Sequence, residues 1–545
     1  MKPPSPKGEL YILYMKKILL FLFINMFLFT SAQSNIDVLH YKFNIEVNDD
    51  NDTIRGLAVI KVKFLNRDNT FKFDLVYLKE NGKGMKVENV TGSNVRLIES
   101  GDRTVRIFLS KTFETGDTAT FTISYSGIPS DGLIISKTKY GRRGFFADNW
   151  PNRGHNWMPC HDDPADKASV EFIVTAPEHY QVVSNGVQVE ETSLGNGKKL
   201  THWKEDTPIS TKVMVIGVAD FAVNLAGIVN GCIPVYSWVY PENKDNGFYD
   251  YSLAKDILPF FIDHVGPYGF KKLANVQSKT IFGGMENANT IFYSESSVSG
   301  TRRSEGTIAH EIAHQWFGNM ATEKNFGHLW LSEGFATYFT ILYFENKYGT
   351  DTAVNMLKED REQVIAYSKL STTPVVDTAE KDYMQLLNTN SYQKGGWVLH
   401  MLRRELGDSV FWKSIRKYYA TYAGSIAGTE DLQKVFEEVS GKNLEQFFHQ
   451  WLFTPGQPEL DVRWKYDKAK KELSVTVTQK QKETFKFPLT ILINFPAGAI
   501  NEEQLIVDKQ TKTFSFSFSQ KPTSIITDPA TSMLFYGSIG EIKAE

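Results

Sequence analysis

The chain has only two cysteines in 545 residues, Cys160 and Cys232, too few for disulfides to carry a fold of this length. Nothing in their spacing places them together. Charge of neither sign prevails: 60 Lys and Arg against 63 Asp and Glu leave a net −3. No global field therefore points to nucleic acid or to an anionic membrane surface. Low-complexity blocks and internal repeats are absent, and past residue 29 no apolar run is long enough to span a bilayer. What remains is ordinary globular composition, 41% apolar and 23% charged, with a high aromatic content of 13%. The length is too great for one core and predicts several domains.

The first residues differ from the rest. Lys16 and Lys17 precede the apolar run Ile18 to Phe29, which ends in Thr30-Ser31-Ala32. A basic start, a short apolar stretch and small residues describe a secretory signal, residues 1–32, cleaved after Ala32, with Met15 as an alternative start. An uncleaved anchor over Tyr11 to Phe29 is the competing reading. The expectation is export, periplasmic or secreted, with no membrane contact beyond this segment.

From Ile36 to about Phe221 period-two runs such as Ala58-Val59-Ile60-Lys61-Val62-Lys63-Phe64 alternate with turn signals such as Asn81-Gly82 and Asn185-Gly186. This predicts an antiparallel β-sandwich or saddle. From Tyr249 the period lengthens to that of helices, including Asp351 to Lys369 and Thr429 to Val439. Thr454-Pro455-Gly456-Gln457-Pro458 breaks the helical pattern, and alternation returns for a small C-terminal β-sandwich.

The most constraining feature is His310-Glu311-Ile312-Ala313-His314, with Glu333 nineteen residues on. Histidines four apart on a helix share one face, so both rings reach one ion. The run Thr307 to Met320, with Ile308, Ile312, Trp316 and Phe317, predicts that helix; Leu329 to Tyr338 predicts a second, delivering the Glu333 carboxylate. Two imidazoles and a carboxylate suit one Zn2+ per chain, with the fourth position open to water as in catalytic rather than structural sites. Glu311 lies beside the metal, where it can act as a base.

Upstream stands Gly283-Gly284-Met285-Glu286-Asn287, by itself a loop or an edge strand with an exposed acid. Combined with the zinc pattern it resembles the aminopeptidase N family of zinc metallopeptidases, the gluzincins, whose motif is usually Gly-Ala-Met-Glu-Asn; here Gly284 replaces the alanine. Trp157-Met158-Pro159-Cys160-His161-Asp162-Asp163-Pro164 resembles the family's Phe-Pro-Cys-x-Asp-Glu-Pro segment. Tyr392-Gln393-Lys394-Gly395-Gly396 resembles its Tyr-x-Lys-Gly element, and Trp451-Leu452 through Pro458 its seam into a small β domain. The likeness runs from about Ile36 to Glu545, without the helical C-terminal domain of larger members.

The resemblance implies an N-terminal β saddle over 33–225, a thermolysin-like, mainly α catalytic domain over 226–454 and a β-sandwich over 455–545. It also implies a metalloaminopeptidase acting on peptides with a free N-terminal amine. His310, His314 and Glu333 would hold zinc, Glu311 would be the general base, and Tyr392, by itself a packing residue, would donate to the oxyanion. Glu286 would bind the α-ammonium, with Gly283, Gly284, Met285 and Asn287 beside the substrate and Phe282 as a wall of the first side-chain pocket. The family adds a Gln or Glu to the amine site where this chain has Asp148; that residue is either a shorter amine anchor or an Asx turn before Asn149. His328, where many members carry Asp, is expected behind the ligands.

The alternatives are a zinc endopeptidase, an epoxide hydrolase resembling the leukotriene-acting branch, and a catalytically inactive peptide-binding module. An endopeptidase has no use for Glu286 as an amine anchor, and pure binding needs neither base nor oxyanion donor.

Overall fold

The computed structural model describes residues 34–542; the expected leader, residues 1–32, lies outside them. Among the described residues no helix is long and apolar enough to cross a membrane. Cys160 is buried, Cys232 exposed, and both are free thiols.

Alternation builds the N-terminal domain. In the strand Ile54–Phe64, Ile54, Ala58, Ile60, Val62 and Phe64 face inward while Arg55, Lys61 and Lys63 face solvent. This strand belongs to a seven-stranded sheet with Ile36–Glu46 at its middle. One pairing departs from the antiparallel expectation: Ile36–Glu46 runs parallel to Lys167–Pro177. Parallel neighbours need a long crossover, and here the whole excursion between them supplies it, folding much of the rest of the domain. Part of that excursion, Arg143–Ala147, joins a four-stranded sheet and leads directly into Asp148.

The strand Ala222–Val229 pairs antiparallel with Ile233–Val239 in the next sheet. The expected seam at 225/226 thus falls inside a strand, and the structural seam lies just before Ala222. This second sheet continues through Leu273–Ser278 and Thr290–Ser294, both parallel additions, and ends on the antiparallel edge strand Gly284–Met285. Helices pack beyond it, among them Glu305–Ala313, Trp330–Tyr348, Thr350–Ser368 and Gly395–Leu406.

The first of these is shorter than the expected Thr307 to Met320. It stops at Ala313, with His314 as its C-terminal cap. Gly318 then adopts φ +116°, a left-handed conformation that an α-helix cannot contain. Trp316 and Phe317 are still fully buried, which explains why their spacing imitates a longer helix. The turn after His314 is also where the N-terminal domain grips the catalytic one. Lys167 sends its Nζ to the carbonyls of Asn319 (2.9 Å) and Met320 (2.8 Å). Lys212 forms an ion pair with Glu323 in which both side chains are all but inaccessible.

The C-terminal domain stacks a four-stranded sheet, which contains Glu459–Asp467, on a three-stranded one around Phe487–Asn494. Arg361 reaches across the seam to Asp528 at 2.8 Å. His400, on the helix Gly395–Leu406, bridges the same seam: its Nε2–H donates to the Thr531 carbonyl (2.9 Å), and its Nδ1 accepts from the Tyr338 hydroxyl (3.0 Å).

Burial pushes the His400 pKa down to about 3. An unfolded chain takes up that proton near pH 6.5, so stability falls as pH drops between these values, by about 1.4 kcal/mol per pH unit. From pH 7 to pH 5 this one group is expected to remove about 2 kcal/mol. Denaturant titrations at both pH values should show that much less acid sensitivity in His400→Gln; equal sensitivity would refute the assignment.

Candidate active site

Helix Glu305–Ala313 and helix Trp330–Tyr348 meet at three donors. His310 Nε2 and His314 Nε2 lie 3.1 Å apart, and each lies 3.3 Å from Glu333 Oε2. Among the described residues, this is the one group of His, Cys, Asp or Glu donors close enough to share an ion. Donors about 2.0–2.1 Å from a tetrahedral ion stand about 3.3 Å from each other, so the triangle fits a divalent metal. His314 ends its helix, and that lets its Nδ1–H donate to the Phe317 carbonyl (3.1 Å) in the following turn, with the Ser332 hydroxyl at 3.0 Å. This fixes the tautomer that leaves Nε2 free for an ion.

A cavity of about 220 Å³ opens beside these donors. It is lined by His310, Glu311, His314, Glu333, Tyr392 and the run Phe282 to Glu286, together with Trp150 and Leu387. The edge strand sits against the first helix because Glu286 offers its main-chain carbonyl to Asn319 Nδ2 (2.7 Å) and Gln315 Nε2 (3.2 Å). The side chain of Glu286 is buried, and its Oε1 has no partner. A Cβ on Gly284 would collide with the Glu311 carboxylate, so the missing methyl makes room for that acid. Tyr392 belongs to a π-helical turn, Asn390–Lys394, and lays its ring parallel to His310, centroids 5.9 Å apart.

Three buried carboxylates converge here, and their electrostatics follow. Burial raises Glu311 well above the usual carboxylate range, against the pull of His314 and with the push of Glu286 and Glu333. Burial also raises Glu286. Glu333 goes the other way despite its burial, because both histidines hold it low. His314, which burial alone would lower, is held up to about 10 by Glu333, whereas burial keeps His310 below the ordinary histidine value. Burial first, then Glu333, pushes the Tyr392 phenol upward. A cluster of this sign calls for cations.

Three of the expected site residues lie elsewhere. Asp148 does not line the cavity: one oxygen takes Arg153 Nη2 (2.7 Å), the other the Ile281 amide (3.0 Å) and Thr280 hydroxyl (3.1 Å). It braces the loop into Phe282 and is fully buried outside the cavity lining; nor does it make the Asx turn. Asn287 is fully buried behind the edge strand. His328 contacts Thr429 through Nδ1 (2.8 Å), joining two helices away from the metal group. Sequence reasoning missed Trp150, Leu387, Gln315 and Asn319. Trp150 sits two residues past Asp148, and Gln315 and Asn319 one and five residues past His314, proximities that could have flagged them; Leu387 carries no local signal.

Comparison with known proteins is consistent with this geometry. A Peptidase M1 N-terminal domain model matches residues 38–213, and a Peptidase family M1 domain model matches residues 249–451. The chain is 26% identical over 514 residues to the alanine/arginine aminopeptidase of Saccharomyces cerevisiae, covering 88% of this chain and 59% of that protein. It is 31% identical over 329 residues to aminopeptidase M1-C of Oryza sativa subsp. japonica (56% and 36% covered). With the human glutamyl aminopeptidase it shares 28% over 363 residues (63% and 38%). The chain thus spans between about a third and three-fifths of these relatives' length.

In apoprotein prepared by chelation, His314 is protonated at neutral pH, since its pKa stands near 10. A metal needs the neutral ring, so binding at pH 7 should release about one proton or more, and affinity should weaken as pH falls. Calorimetric titration in buffers of different ionisation enthalpy reads this directly; a heat independent of buffer would rule it out.

Proposed function

Since this chain belongs to peptidase family M1, we propose that it is a zinc-dependent aminopeptidase, releasing single residues from peptides that carry a free α-amine. The observation that carries the reading is the unpaired, buried carboxylate of Glu286, just past an edge strand that is tied to the turn after the metal-holding helix. With both histidines neutral and all three acids ionised, Glu286, Glu311 and Glu333 would bring three negative charges into one cavity. A divalent ion and a substrate ammonium balance them, one cation at each end of a fixed span.

His310, His314 and Glu333 would hold the zinc, which when bound polarises the scissile carbonyl and lowers the pKa of water toward about 7. Glu311, which burial leaves with a strong affinity for protons, takes one from the attacking water and returns it to the departing amine. Such assistance is worth about 10²–10⁴-fold. The Tyr392 hydroxyl, kept un-ionised by burial, donates to the oxygen that becomes negative; one donor of this kind contributes about 3 kcal/mol. Gly283 and Gly284 leave the edge strand's backbone bare for an extended peptide. Glu286 captures the ammonium and penalises blocked termini. An endopeptidase would gain nothing from this carboxylate as an amine anchor.

A panel of free and N-acetylated peptides, with and without a chelator, tests the reading. Free peptides should be cut, acetylated ones left intact, and the chelator should abolish activity. Glu286→Gln should raise KM and erode the discrimination. Tyr392→Phe should lower kcat about 10²-fold with zinc content unchanged. Equal cleavage of acetylated peptides would end the proposal.

We further infer that the protein is exported, on the strength of the basic and apolar character of residues 16–32. Mass spectrometry of protein from its native host should find a mature N-terminus just after Ala32; an intact leader would contradict this.

A further inference from the structure

Asn319 is held from three sides. Its main-chain N–H donates to the carbonyl of His314 (3.0 Å), and its side-chain Nδ2 to the carbonyl of Glu286 (2.7 Å). Its own carbonyl receives the Lys167 ammonium (2.9 Å). One fully buried residue thereby links a metal donor, the amine anchor and the N-terminal domain. The segment follows Gly318, whose φ of +116° takes it out of the helix, so its carbonyls need donors from outside that helix.

Lys167 opens the strand Lys167–Pro177, which is paired on both sides within the seven-stranded sheet. The lysine therefore starts from a fixed backbone. Its Nζ also donates to the Met320 carbonyl (2.8 Å) and the Thr322 hydroxyl (3.1 Å), and that hydroxyl in turn donates to the Asn319 carbonyl (3.1 Å). These three shortest contacts match the three protons of an ammonium, and all fall within residues 319 to 322. Lys212 crosses the same domain boundary differently: its Nζ goes to Glu323, not to the Asn319 turn.

We propose that Lys167 is a positioning residue: from the N-terminal domain it clamps the Asn319 turn and so holds Glu286 at the span from the zinc that a substrate amine requires. This rests on the aminopeptidase reading and extends its machinery into the other domain. Without the ammonium, Asn319 keeps its bond to His314 but loses the clamp on its carbonyl, and the Glu286 carbonyl it carries shifts with it. The metal donors stay where they are, because Lys167 bonds to neither of the helices that bear them. Displacing a binding group by about 1 Å is enough to cost roughly 10²-fold, so a small movement of the turn is legible in binding.

The test measures, by calorimetry on full-length zinc-loaded protein, the affinities of leucine hydroxamate and of isocaproyl hydroxamate, which differ only in the α-amine. Both ligands use the zinc, so the ratio of their Kd values reads the amine site alone. In the wild type the amine should tighten binding at least about 20-fold. Lys167→Met should shrink that ratio at least about fivefold, with zinc content unchanged. Lys212→Met combined with Glu323→Gln loosens the same boundary without touching the clamp, and should leave the ratio within about twofold of wild type. In an Asn319→Ala background, where the link is already cut, adding Lys167→Met should change the ratio by less than about twofold. Should Lys167→Met fail to fold, Lys167→Gln, neutral and shorter, decides in its place and should shrink the ratio at least about threefold. An unchanged ratio in the folded Lys167 variant overturns the inference, as does an equal loss in the Lys212 and Glu323 control or a full additional loss in the Asn319→Ala background. These results leave the aminopeptidase reading standing, whereas a wild type that binds both hydroxamates equally removes both.

Discussion

The main-chain carbonyl of Glu286, accepting from Asn319 and Gln315, fixes the edge strand to the structure that carries the metal donors. Gln315 and Asn319 lie one and five residues past His314, in the turn that ends the first helix. In the proposed reading, the spacing between the metal donors and the amine anchor therefore does not depend on a flexible loop. It is set by backbone, pinned at the Glu286 carbonyl by two side-chain amides buried from solvent. On that reading the enzyme measures one residue, and a ruler of this kind needs stiffness more than affinity. The early end of the helix is part of the same device, because a helix continuing to Met320 would carry Asn319 away from the strand.

The cavity's excess of negative charge is a second constraint. Buried carboxylates without counterions are costly, and here they are gathered where two cations belong. The surrounding shell avoids adding to the charge. Asp148 is neutralised by Arg153 and put to work bracing the loop before Phe282. Acids in this part of the molecule thus divide into those that face substrate and those that hold the wall in place. The division is made by hydrogen-bond partners, not by residue type.

Much of this was legible in the sequence where chemistry is local. His310, Glu311 and His314 announce a metal by helical spacing alone, and Glu333 follows from one further helix. Period-two alternation revealed the β domains because one face of each strand is buried. Positions decided by long-range packing were not legible. Asp148, an amine anchor or an Asx turn by the sequence and its resemblance, is instead held by Ile281 and Thr280, far along the chain. The strand Ala222–Val229 alternates like its N-terminal neighbours, yet it pairs with the catalytic sheet. Trp316 and Phe317 kept helical spacing in a segment that turns, since both helix and turn can bury the same side chains.

Lys167 and Lys212 belong by sequence to the N-terminal domain but end their side chains in the catalytic one, on Asn319, Met320 and Glu323. Modularity is therefore only apparent. A catalytic fragment cut at the sheet boundary would keep its metal donors but strip Glu323 of its Lys212 partner and bare to solvent the turn that the two lysines cap. The same excision would free the segment around Asn319, which steadies the ruler. Evolution by swapping domains is closed to a protein wired in this way: its two halves must travel as one inheritance.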